Sequence, residues 1–152
     1  MRTFIPSKKV FKKPNVPQYN PNPHTIGEHI RKKRIQSKLP QKATADQLGI
    51  DENTLTGWEL ERNQPLMKYY PAIIAFLGYY PFDHETDSVA GKLKQIRHYH
   101  GLTFKECAKL LSISVDAAMR WERGKRVVYP STRQLIEDVW LQLPNRLLLH
   151  PA

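Results

Sequence analysis

Apolar residues along this chain recur at helical spacing, in short blocks. Ile26, Ile30 and Arg34 fall at i, i+4 and i+8, which predicts a helix over 25–37 with one inward face. Ala45 and Leu48 do the same for 41–48, and Gly49 follows as a residue suited to a left-handed helix stop. Asp51 is placed to cap a third helix from 52 to about 61, with Leu55 and Trp58 turned inward. A fourth helix is predicted over 68–77, burying Ile73, Ile74, Phe76 and Leu77 and ending at Gly78 before Pro81. Blocks over 88–100, 104–111, 115–123 and 131–143 read the same way. No useful length alternates with period two, so the predicted class is all-α.

The second set of blocks is the first set shifted by 63 positions. Arg34 meets Arg97, Leu39 meets Leu102, Lys42 meets Lys105, Ala45 meets Ala108, and Trp58-Glu59 meets Trp121-Glu122. An ungapped offset held across most of each half predicts one unit of about 60 residues used twice. The expected organisation is an arm over 1–24, a first unit over 25–80, a linker over 81–87, a second and divergent unit over 88–145, and a tail over 146–152.

The stretch LPQKATADQLGIDENTLTGWELERNQP, from Leu39 to Pro65, resembles the helix-turn-helix of the Cro and lambda-repressor-like (XRE) family. Gln41, Ala45, Gly49, Asp51, Leu55, Trp58 and Glu59 carry the resemblance, which covers 25–80 well and 88–143 less well. It implies two small four-helix units in tandem and a third helix that enters the DNA major groove. It also implies ion pairs between the first helix and the Glu of the third, here Arg34 with Glu59 and Arg97 with Glu122. Gln41, on the same resemblance, contacts a phosphate or base from the start of the second helix.

With Leu55 and Trp58 inward, the third helix turns Asn53, Thr56, Gly57 and Leu60 outward, flanked by Glu52 and Thr54. Asn53 suits adenine, Glu52 suits the cytosine amino group, and Thr54 or Thr56 suits a thymine methyl or a phosphate. Gly57 is expected to permit close approach to the duplex, and Lys42 is a phosphate candidate. In the second unit Phe104 stands in place of Gln41 and offers a hydrophobic contact, while Ser112 replaces the turn glycine. Arg120 and Arg123 suit guanine or phosphate, and Lys105 matches Lys42, but Asp116 opposes phosphate. Two roles stay open for this unit: reading DNA or holding a protein.

Charge adds a polyanionic partner. The 152 residues hold 24 Lys and Arg against 14 Asp and Glu, a formal net charge of +10. Half the excess lies in 1–24, where Arg2, Lys8, Lys9, Lys12 and Lys13 meet no acid and five prolines argue for a disordered basic arm. No apolar stretch is long enough to span a bilayer, and the N-terminus lacks the apolar core of a secretory signal. A single cysteine, Cys107, rules out an internal disulfide. His98 and His100 sit two apart on a helix and do not share a face, so no metal site is expected. No phosphate-binding loop or nucleophile motif is present, so neither an enzyme nor a cofactor or small-molecule ligand is expected. The resulting expectation is a cytoplasmic, nucleoid-associated regulator of bacterial or phage type that binds double-stranded DNA, with a homodimer through either unit left open. A protein-interaction or antitoxin-like role and a non-specific nucleoid binder are the rivals.

Overall fold

The computed structural model describes residues 18–82, 87–125 and 128–144. Eight α-helices and one 3₁₀ turn account for their regular structure, and no strand occurs among them. Helix α1, Ile26–Gln36, starts at a capping box: Thr25 Oγ1 accepts from the Glu28 N–H, and Glu28 reaches back to the Thr25 backbone. Helix α2, Gln41–Leu48, stops at Gly49, whose φ is 68°. Helix α3, Glu52–Glu59, is capped by Asp51. A 3₁₀ turn, Met67–Tyr69, leads into α4, Tyr70–Leu77. Ser88, Thr103 and Ser114 then cap α5, Val89–His100, α6, Phe104–Leu110, and α7, Val115–Glu122, and α8 runs Pro130–Leu141. The sequence pattern located every helix; the main shift is α4, whose first predicted turn is 3₁₀ instead.

Two core clusters form. Ile26, Ile30, Ala45, Leu48, Leu55, Trp58, Ile73 and Leu77 close over α1–α4. Leu93, Ile96, Cys107, Leu111, Trp121, Ile136 and Trp140 belong to the cluster of α5–α8. The two groups share their backbone turns. Among the described residues, positive φ falls at Lys38, Gly49 and Glu61 and again, 63 positions on, at Gly101, Ser112 and Gly124, with Gly78 besides. Each matched pair has one glycine, so the conformation is kept where the side chain is not.

A seam joins the groups. Helix α4 packs on α5, and successive tyrosines between them reach opposite ways. Tyr79 Oη lies 2.8 Å from His29 Nδ1 in the first group, and Tyr80 Oη lies 2.8 Å from His98 Nδ1 in the second. The rings of Tyr70 and Phe82 pack against His98 at 4.9 and 4.6 Å.

One expectation needs correction. Residues 18–24 are not a loose part of an arm. Arg31 Nε donates to the Gln18 carbonyl at 3.1 Å, Lys32 Nζ to the Pro21 carbonyl at 2.7 Å, and Asn20 Nδ2 to Glu28 at 3.0 Å. Polar groups on α1 therefore hold this segment despite its prolines. The five cations of the arm, the centre of the linker at 83–86 and the tail at 146–152 lie outside the described residues.

Candidate nucleic-acid interface

The angle between α1 and α3 rests on a buried carboxylate. Glu59 is 5% exposed. Its Oε1 accepts from Arg34 Nε at 2.6 Å, and its Oε2 from Arg34 Nη2 at 2.8 Å and Gln41 Nε2 at 3.1 Å. Gln41, at the start of α2, thus joins the ion pair through one of its two amide N–H donors. In the second group Arg97 Nη1 donates to both oxygens of Glu122 at 2.8 Å. Phe104, at the position of Gln41, covers that pair, with the guanidinium 3.7 Å from its ring centre. Phe104 therefore braces Arg97 and is not a free hydrophobic contact.

Along α3, Glu52 and Asn53 are exposed in the first turn. Asp51 Oδ1 accepts from the Thr54 N–H at 2.9 Å, and its Oδ2 accepts from Thr54 Oγ1 at 2.5 Å. These bonds hold the Asp51 carboxyl below its ordinary range. Thr56 Oγ1 donates to the Glu52 carbonyl at 2.9 Å. Both threonine hydroxyl protons are spent locally, which leaves their methyls and lone pairs. Gly57 does not serve approach to a ligand: it is buried, and a Cβ there would lie 2.6 Å from Asn63 Oδ1. The loop after α3 folds back over it, which outward periodicity alone could not reveal.

Lys42 is exposed and lies 3.5 Å from Asp46. Lys105 and Arg123 are exposed without an ion pair among the described residues, whereas Arg120 pairs with Asp116 one turn earlier. Arg120 and Asp116 line an open groove of about 460 Å³ between α7 and Tyr129 at the start of α8. Attention to the third-helix face passes over Arg62, Lys109 and Lys125, which are also exposed. Arg62 and Lys125 are 63 apart, the same offset that pairs Arg34 with Arg97.

His98, one of the two candidate metal ligands, is part of the seam, and among the described residues no group of His, Cys, Asp or Glu is placed to hold a metal ion. Burial pushes the Cys107 thiol up to about 11, which suits a core residue and not a nucleophile. No helix of the described residues is long and apolar enough to cross a membrane.

A family model described as helix-turn-helix matches residues 30–84, from within α1 to beyond α4. No curated protein and no solved structure matches the chain.

Proposed function

We propose that the protein is a sequence-specific DNA-binding transcriptional regulator made of two tandem helix-turn-helix units, 25–80 and 88–145. The supporting observation is an α3 with Glu52 and Asn53 exposed in its first turn, inside the segment that matches the helix-turn-helix family. In this reading α3 enters the major groove, Asn53 pairs with an adenine edge, and Glu52 accepts from a cytosine amino group. The Thr54 and Thr56 methyls meet thymine, and Lys42 and the basic arm neutralise phosphates. The cytoplasm and its nucleoid are the site of action, and occupancy of a promoter is the mechanism.

Selection of bound duplexes from a random library tests this. A sharp consensus is the expected result, and duplex binding without any consensus would replace the regulator by a non-specific binder. On the selected site, Asn53→Ala should cost about 1–3 kcal/mol and relax one base position, leaving binding to random DNA nearly unchanged. Equal losses on both would remove Asn53 from base reading.

A further inference from the structure

The two helix-turn-helix surfaces differ in sign. Between Gln41 and Arg62 the exposed charges are Lys42 and Arg62 against Asp46, Asp51, Glu52 and Glu61. Over the matching stretch, Phe104 to Lys125, five exposed cations stand against Glu106 and Asp116. The change is position by position. At an offset of 63, Asp46 becomes Lys109, Asp51 becomes Ser114, Glu52 becomes Val115 and Glu61 becomes Gly124. Over the same alignment Leu60 becomes Arg123 and Gly57 becomes Arg120.

The consequence is clearest at one pair. Lys42 has an acid one turn on, 3.5 Å away, whereas Lys105 has Lys109 there. Like charges at that spacing destabilise a free helix. A polyanion relieves that cost and releases counterions from every cation it meets. The first surface retains one favourable anion position, the N-terminus of α2, where Pro40 makes no side-chain cap. Elsewhere its four carboxylates repel phosphate.

We infer that the two units divide the work on one duplex: the second anchors the phosphates through Lys105, Lys109, Arg123 and Lys125, and the first discriminates bases. This rests on the regulator reading, because it presupposes a duplex held by both units. It reverses the priority that the family match suggests, since the matched unit supplies little of the electrostatic attraction.

The offset provides matched variants. Lys42→Ala/Arg62→Ala and Lys105→Ala/Lys125→Ala remove equivalent cations from the two units of the full chain. Each is titrated on the selected duplex, and on single-base variants of it, across a series of salt concentrations. Neutralising one phosphate contributes about 0.9 to the slope of log affinity against log salt on duplex DNA. The second-unit pair is expected to flatten the slope by roughly 1.8, with base preferences unchanged. The first-unit pair should flatten it by less than half as much. Equal changes, a larger change from the first unit, or no change from either pair would overturn the division of labour. A full chain that binds no duplex at any salt would instead overturn the regulator reading itself.

Discussion

Ser112 holds a left-handed conformation, φ 53°, that its partner position fills with Gly49. Its Cβ meets the following carbonyl there, a cost of about 1–2 kcal/mol that glycine avoids, offset in part by the extra freedom glycine has when unfolded. Ser112→Gly is therefore expected to stabilise the protein by about 1 kcal/mol in chemical denaturation, and a neutral or destabilising result would show that the serine makes a compensating bond. Thr44 is a second residue out of balance. It is fully buried and its hydroxyl finds no partner among the described residues, whereas its counterpart Cys107 carries a soft thiol. Thr44→Val keeps the shape and drops the unpaired group, so a gain of about 1 kcal/mol is expected, with Thr44→Ser losing stability instead. The capping carboxylates respond to acid. Backbone and side-chain bonds hold Glu28, at the start of α1, and Glu106, at the start of α6, below the ordinary carboxylate value of 4.5. Because the folded values are the lower ones, their contribution is present above pH 4.5 and disappears as pH falls through those values. The double variant Glu28→Gln/Glu106→Gln should show a smaller drop in Tm than the parent between neutral and acid pH, and identical drops would count against the caps.

At the scale of elements, α1 crosses α3 so closely that a Cβ on Gly27 would collide with the Trp58 carbonyl oxygen. Backbone cannot yield as a side-chain tip can, so Gly27→Ala should cost at least about 1–3 kcal/mol, read from the urea midpoint, and a loss of a few tenths would show that the crossing can open. The crossing also fixes Arg34 against Glu59. Removing either charge leaves the other buried, at a cost of about 3–5 kcal/mol, although the pair itself is weak evidence for net stability. Much of this was legible in the sequence. Inward periodicity at Ile26, Ile30, Leu55 and Trp58 located the helices, Asp51 marked a cap, and the 63-residue offset paired Arg34 with Arg97. What escaped is what local pattern does not encode. Gly57 lies on the outward stripe of α3, but the following loop covers it. Gln41 and Phe104 stand 63 positions apart and brace matching ion pairs by different chemistry, a hydrogen bond to the carboxylate in one case and a ring under the guanidinium in the other. The order of 18–24 depends on Arg31 and Lys32 reaching backbone carbonyls, and the prolines and unopposed cations of 1–24 made the whole segment look loose. A deletion meant to test the arm should accordingly stop at residue 17, which removes the same five cations and spares these bonds.

Over the whole molecule the question is whether the two groups of helices act as one body, because a fixed spacing lets one binding event raise the effective concentration for the other. The seam gives the means: α4 against α5, Tyr79 to His29, Tyr80 to His98, and a close contact at Gly101. That glycine has φ 64°, and a Cβ on it would lie 3.1 Å from Pro71 Cγ and 3.2 Å from the Met67 carbonyl. Gly101→Ala thus adds a strained conformation, about 1–2 kcal/mol, to a wedge driven into the seam. Gly124 separates the two effects. Its φ is 68° and, among the described residues, nothing lies within 4 Å of the equivalent Cβ, so Gly124→Ala carries the strain without the wedge. Calorimetry on the parent should show a single cooperative transition that Gly124→Ala only moves down in temperature. Gly101→Ala should split it into two, as packing between the groups weakens relative to packing within them. On a duplex long enough for both units, Gly101→Ala should also lose more affinity than Gly124→Ala, because a loosened seam lowers the effective concentration of the second unit. If the two variants melt alike and bind alike, the seam does not couple the units, and the affinity of the chain would have to come from each unit alone.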